Sequence, residues 1–364
     1  MGQVRTVAAV TTRTPWIYVL PALVALFLLL PSLYPEASTG GADILERYGA
    51  ENYMETSRRL QQWRDDGVDG ELVALEEQAL EALGRAREAT DDKAFFQAAA
   101  DYENVTLALV ERGVWEDDEL FMRANSLNVV RIAGLAEPVV YTAVGELPAL
   151  PYLAFVYEQV PWLLWVGTPC LVAVAGVLSR TNGRLLALGP CQVVGSLGSG
   201  LFSGLLSWAM VMGAFVLAAL LVAARGGWGD PAYPAVFVQG DRLETLGCAD
   251  VLLRASVVIL ALSLFVGMLV EAAFSPVGDG RVPAAVVAVF ALLPMVVGHD
   301  GAPWAPWSYV HVAQTAGVCA YFNGGSLSET PQAFPLALTV LFGWVTGLSV
   351  LALVGNALRR TNRL

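Results

Sequence analysis

Apolar positions along this chain follow two rhythms, continuous runs and helical stripes. Crossing about 30 Å of hydrocarbon takes about 20 apolar residues at 1.5 Å each. Six runs approach or reach that length, over 16–34, 161–178, 201–224, 251–274, 282–297 and 334–353. The fifth is the shortest and carries Pro283 and Pro294. Between the first and second runs the rhythm changes. Ile44, Leu45 and Tyr48, then Leu60 and Trp63, recur three and four residues apart. Leu72, Leu75, Ala79 and Leu83 form a second stripe after Asp69-Gly70. Phe95, Ala99, Tyr102, Thr106 and Leu109 form a third, closed by Gly113. It is entered at Thr90-Asp91-Asp92, where Thr90 is the expected N-cap and the aspartates suit the positive end of the helix dipole. These spacings predict amphipathic helices over 42–147. Alternating segments of about ten residues do not recur, which excludes a transmembrane barrel. The expected fold is an all-α polytopic membrane protein with six transmembrane helices and a helical domain between the first and second. Residues 1–35 hold the N-terminus and first helix, 36–150 the inserted domain, and 151–364 five further helices with short loops and a basic tail.

Charge separates these parts. Only 15% of the 364 residues are charged, against about 25% in soluble domains, and the mean hydropathy is +0.56. That excludes both an ordinary cytosolic enzyme and a disordered chain. The net charge of −12 argues against nucleic acid as a partner. Residues 36–150 carry a net −14 and the remainder a net +2. With the N-terminus inside, the inner segments carry Arg5, Arg13, Arg180, Arg184, Arg281, Arg359, Arg360 and Arg363, and the outer short loops only Arg225 and Arg242. This asymmetry predicts a multi-pass plasma-membrane protein with both termini cytoplasmic and the acidic domain extracellular. The first run exceeds the 7–15 apolar residues of a signal-peptide core and is read as a retained anchor.

The chemistry is sparse. Twenty of the 21 basic residues are arginine, and the one lysine, Lys93, lies in no glycine loop. A Walker-type phosphate site on this chain is therefore excluded. His299 and His311 show no zinc-protease spacing, and the four cysteines form no Cys-x-x-Cys pair. Cys248 and Cys319 both fall in expected outer loops and form a candidate disulfide, while Cys170 and Cys191 read as small packing residues. No metal site is expected. Gly195-Ser196-Leu197-Gly198-Ser199-Gly200 lacks the Gly-x-Ser-x-Gly order of a hydrolase and reads as a close helix contact. Arg254 and Glu271, 17 residues or about 25 Å apart on one helix, are candidate pathway or structural charges, each of which could snorkel to its own interface. Glu158 is expected at the outer membrane surface just before Pro161-Trp162. Pro303-Trp304-Ala305-Pro306-Trp307-Ser308-Tyr309 reads as an outer aromatic belt, followed by a short helix over 310–320 lying partly in the membrane.

The layout resembles the permease subunits of ABC-2-type ABC exporters, in particular bacterial members with a large extracellular domain after the first span. After span two, Ser179-Arg180-Thr181-Asn182-Gly183-Arg184-Leu185-Leu186-Ala187-Leu188-Gly189-Pro190 is similar to that family's coupling segment, a polar glycine turn leading into a Leu-Leu…Pro helix. Asn182 and Gly183-Arg184 stand where the family often has an acidic residue and Gly-Thr. Pro148-Ala149-Leu150-Pro151-Tyr152-Leu153 and the tail Arg359-Arg360-Thr361-Asn362-Arg363 are also similar. The resemblance implies ATP-driven efflux of an amphipathic or hydrophobic compound, such as an antimicrobial peptide or drug. It implies a second permease subunit, as homodimer or heterodimer, and a separate ABC ATPase. That partner would carry ATP and Mg and dock on Arg180, Asn182, Gly183, Arg184, Leu185 and Leu186. This chain would then be no enzyme and hold no cofactor. The alternative is a membrane-anchored sensor or assembly protein whose outer domain binds a ligand.

Overall fold

The computed structural model describes residues 15–114, 119–182, 193–239, 242–297, 302–317, 329–330 and 334–361. Helix α1 (Val19–Leu29) lies between two 3-10 turns in a continuous apolar pass, Pro15–Leu33. The acidic lobe follows as α2 (Gly41–Glu46), α3 (Ala50–Asp65), α4 (Gly70–Glu88), α5 (Asp92–Glu111) and α6 (Glu119–Ala133). Two carboxylates start its helices: Asp69 accepts from the Glu71 N–H at 3.0 Å, and Asp91 from the Ala94 N–H at 2.8 Å. The N-cap of α5 is thus Asp91, one residue after the expected Thr90. An aspartate in extended conformation reaches the first-turn amide and adds a full negative charge at the dipole's positive end. The buried stripe of α5 runs through Phe96, Ala99, Tyr102, Thr106 and Leu109, with Phe95 packed edge-on against Phe96 at 5.1 Å. The chain enters and leaves the lobe through a shared neck. There Thr39 N donates to Thr142 O at 3.1 Å and Gly145 N to Pro35 O at 2.9 Å.

From the neck the chain enters α7 (Ala149–Val156), a short helix buried along nearly its whole length. A 3-10 turn and Pro161 then redirect it into α8 (Trp162–Asn182). Ala149–Gln159 and Trp162–Leu178 meet at 86°. Tyr152 of α7 donates its hydroxyl to Leu28 O at 2.8 Å, fixing the elbow on α1. The long helices α9 (Val193–Gly226) and α10 (Cys248–Val277) follow, then α11 (Arg281–Val297), the short α12 (Val312–Ala316) and α13 (Phe334–Thr361). Helix α10 is the hub, packed by α8, α9, α11, α12 and α13.

Among the described residues four helices are long and apolar enough to cross a membrane: Pro15–Leu33, Leu197–Gly226, Cys248–Val277 and Phe334–Leu358. The bent pair passes the same test of length and composition only when its two helices are taken together. The expected fifth span, α11, is apolar but only 17 residues long, about 25 Å at 1.5 Å per residue. The protein is a predominantly helical, multi-pass membrane protein.

It is not purely helical. Strands β1 (Pro234–Gln239) and β2 (Arg242–Gly247) pair antiparallel from Pro234↔Gly247 to Gln239↔Arg242, and β3 (Glu329–Thr330) adds parallel to β1. These short strands are a small addition to a fold that is otherwise helical, as expected. Two β-prone runs separated by two residues, Gly240-Asp241, follow the hairpin rule. The sheet abuts α6 at the base of the lobe, where the Tyr141 and Tyr233 rings lie 5.2 Å apart. Ala149 N and Leu150 N donate to Gly227 O and Trp228 O, both at 3.0 Å. The Tyr157 hydroxyl donates to Gly317 O. Lobe, hairpin and segment 302–317 therefore gather at one end of the helices, with the α8 C-terminus and α9 N-terminus at the other.

Candidate functional site

The expected coupling segment spans the join between α8 and α9. Helix α8 continues through Arg180 and Asn182, while Gly183, Arg184, Leu185 and Leu186 lie outside the described residues, and α9 resumes at Val193. Two helix ends thus bracket the segment at the end of the molecule away from the lobe.

Arg254 and Glu271 lie on α10 as expected, but neither simply reaches for water. The Arg254 guanidinium lies 5.1 Å from the Phe334 ring at the start of α13, a cation–π placement. Glu271 is only 1% exposed. Its stem faces α9 so closely that a Cβ on Gly200 would come within 2.8 Å of Glu271 Cγ. The snorkelling expectation therefore fails for Glu271, because α9 covers it. Gly200, the end of the Gly195–Gly200 motif, makes the close helix contact that the sequence suggested.

Cys248 begins α10, fully buried and with a free thiol; its sulfur lies 3.4 Å from Asp230 O. Cys319 lies outside the described residues. Cys170 is buried and free, as a packing residue should be. Glu158 sits exposed in the turn between α7 and α8. His311 precedes α12 with its ring 5.9 Å from that of Trp162. Among the described residues no group of three His, Cys, Asp or Glu side chains could hold a metal ion.

Two features of the lobe carry chemistry that sequence reading missed. The first is a buried polar cluster. Glu103 is 0% exposed and accepts at Oε1 from Tyr48 Oη at 2.7 Å and Asn125 Nδ2 at 3.0 Å, with Arg47 Nε at 3.5 Å. Its Oε2 has no hydrogen-bond partner. Burial pushes the Glu103 carboxyl above the ordinary range, opposed by the Arg47 charge. Glu76, buried on α4, is likewise raised by burial against its 2.6 Å pair with Arg59. The available signal was a Glu inside the apolar α5 stripe, next to Tyr102. The second feature is a surface groove of about 800 Å³ between α3 and α4. Comparison with known proteins finds no matching family model, no matching curated protein and no matching solved structure.

Proposed function

We propose that this chain is the membrane-spanning permease subunit of an ATP-driven ABC-2-type exporter, crossing the membrane six times with the acidic lobe outside. The observation that carries the reading is that α8 ends and α9 begins at the end of the helices opposite the lobe. A cytoplasmic ATPase docked there could push on both helices through the residues between them in sequence, 183–192. Helix α10 would transmit that push, since it packs against α8, α9, α11 and α13. A push moves the equilibrium only if the ATP-bound partner favours one of two arrangements of these helices. The absence of a lysine-bearing glycine loop fits a subunit that borrows its ATPase. The cargo class, amphipathic or hydrophobic, rests on the resemblance.

Co-purification tests this directly. A tagged chain is expected to bring down an ATPase, and Leu185→Asp with Leu186→Asp is expected to lower both that yield and transport at least about ten-fold, as two apolar contacts are replaced by charges. Recovery of no ATPase, together with unchanged function of the double variant, would overturn the reading.

Topology has its own check. In a background with Cys191 and Cys319 changed to Ser, Asp92→Cys should react with an impermeant maleimide on intact cells. A cysteine at Thr361 should react only after permeabilisation. Buried Cys170 and Cys248 should stay silent in both conditions. Labelling of Thr361→Cys on intact cells would reverse the orientation.

A further inference from the structure

Helices α3 and α4 pack together, with Thr56 and Leu60 buried on one and Ala79 and Leu83 on the other, and a groove lies between them. The lining of the resulting groove is mostly polar, with Leu80 and the Tyr53 ring as its partly exposed apolar side chains. Gly84 keeps it open. A Cβ there would meet nothing closer than Tyr53 Cε2 at 3.7 Å, an ordinary contact. Glycine is unfavourable relative to alanine inside a helix, and the packing does not require it at this position. What Gly84 provides is room.

The rim already seats cations of the protein itself. Arg64 pairs with Glu77 across the helices at 2.6 Å, and the Arg87 guanidinium lies 4.8 Å from the Tyr53 ring. Arg85 is drawn away to Asp101 on α5 at 3.0 Å. Asp65, Glu81 and Glu88 remain exposed on the lining, with no ion pair among the described residues. Glu81 and Glu88 are seven residues apart, two turns or about 10 Å along one face. The lobe around them carries a net −14 over 36–150, which repels anions and steers cations toward it.

We infer that the α3–α4 groove is a binding site for a cationic, amphipathic peptide segment. The ligand places Lys or Arg side chains two helical turns apart against Glu81 and Glu88 and lays its apolar face over Leu80 and Tyr53. This goes beyond the exporter reading and holds for the chain alone, whatever it transports.

The test uses the full chain in phosphatidylcholine nanodiscs, with empty discs subtracted. The probe is a fluorescent 14-residue Leu/Lys peptide with lysines seven apart; the same peptide with Glu for Lys is its control. Anisotropy should show saturable binding of the lysine peptide only. The combined variant Asp65→Asn, Glu81→Gln, Glu88→Gln should weaken it about ten-fold or more, as truncating complementary charges does at other interfaces. Gly84→Leu should fill the groove and abolish saturable binding while the lobe's melting temperature holds or rises. Glu46→Gln, Asp92→Asn and Glu137→Gln together remove the same charge elsewhere on the lobe and should change affinity less than about two-fold. Equal binding of both peptides, wild-type binding by Gly84→Leu, or an equal loss in the distant triple variant would each overturn the site. No ATPase enters the assay, so its failure and that of the exporter reading are separable.

Discussion

Gly267→Leu is expected to break the association of α9 with α10 and remove most folded protein from the membrane. At this crossing the two backbones touch directly. A Cβ on Gly267 would lie 2.3 Å from Gly200 O, and one on Gly204 would lie 2.8 Å from both Leu264 Cα and Ser263 O. Nothing flexible stands in the way that could turn aside, so the helices must separate. Lipid tails supply no hydrophobic drive between helices, so close van der Waals packing is what holds such a seam. Lateral separation also strips cover from Glu271, which α9 buries. Overpacking a core typically costs about 1–3 kcal/mol. With backbone as the obstacle at the hub helix, at least about 3 kcal/mol is expected. Size-exclusion chromatography in mild detergent should show loss of the monodisperse peak. Gly213→Leu, on the same α9 but facing open space, should leave it unchanged. A monodisperse, wild-type-like Gly267→Leu protein would refute the tight seam.

Of the glycines of this seam only Gly200 was legible as a packing signal, since small residues at the start of a span mostly serve helix contact. The apolar runs were legible too, because length and hydropathy are set by the bilayer rather than by tertiary detail. The 86° bend was not. The second run was read as starting at 161, and nothing in the apolar stretch 149–157 says that packing holds it crosswise to that run. The hairpin at Pro234–Gly247 had a local signature in Gly240-Asp241. In the lobe, helical stripes revealed which faces are buried but not which polar residues go in with them. Glu103 shares the stripe of Tyr102 and Thr106, yet only the positions of Arg47 and Tyr48 in the α2–α3 turn and of Asn125 on α6 explain why a carboxylate is tolerated there. The groove between α3 and α4 was invisible for the same reason: it depends on where two helices part. Gly183, Arg184, Leu185 and Leu186 were read from a local motif, and their test is functional.

Glu103 makes the stability of the lobe depend on pH in a direction opposite to that of most carboxylates. Its folded pKa is raised by burial, so the folded lobe binds the proton more tightly than the unfolded chain does. The stability it contributes is complete below the ordinary carboxylate range and is lost as pH rises through its folded value. Glu76 acts with the same sign. Glu146 acts oppositely: the Thr142 and Ala143 amides that hold it lower its pKa, so its contribution fades as pH falls through that lowered value. From neutral pH down to the ordinary carboxylate range, hydrogen exchange in lobe peptides, corrected for intrinsic rates, should therefore slow. Glu103→Gln keeps an acceptor for Tyr48 and Asn125, and should flatten that slope while costing about 1 kcal/mol or less. Glu103→Ala should cost about 3 kcal/mol, because it strands the Tyr48 and Asn125 donors and leaves Arg47 facing an empty site. That figure is the low end for a broken buried pair, since the Arg47 side chain keeps 22% exposure and water can reach it. Exchange that is independent of pH in the wild type, or equally fast in Glu103→Ala and Glu103→Gln, would show that this carboxyl does not hold α2, α5 and α6 together.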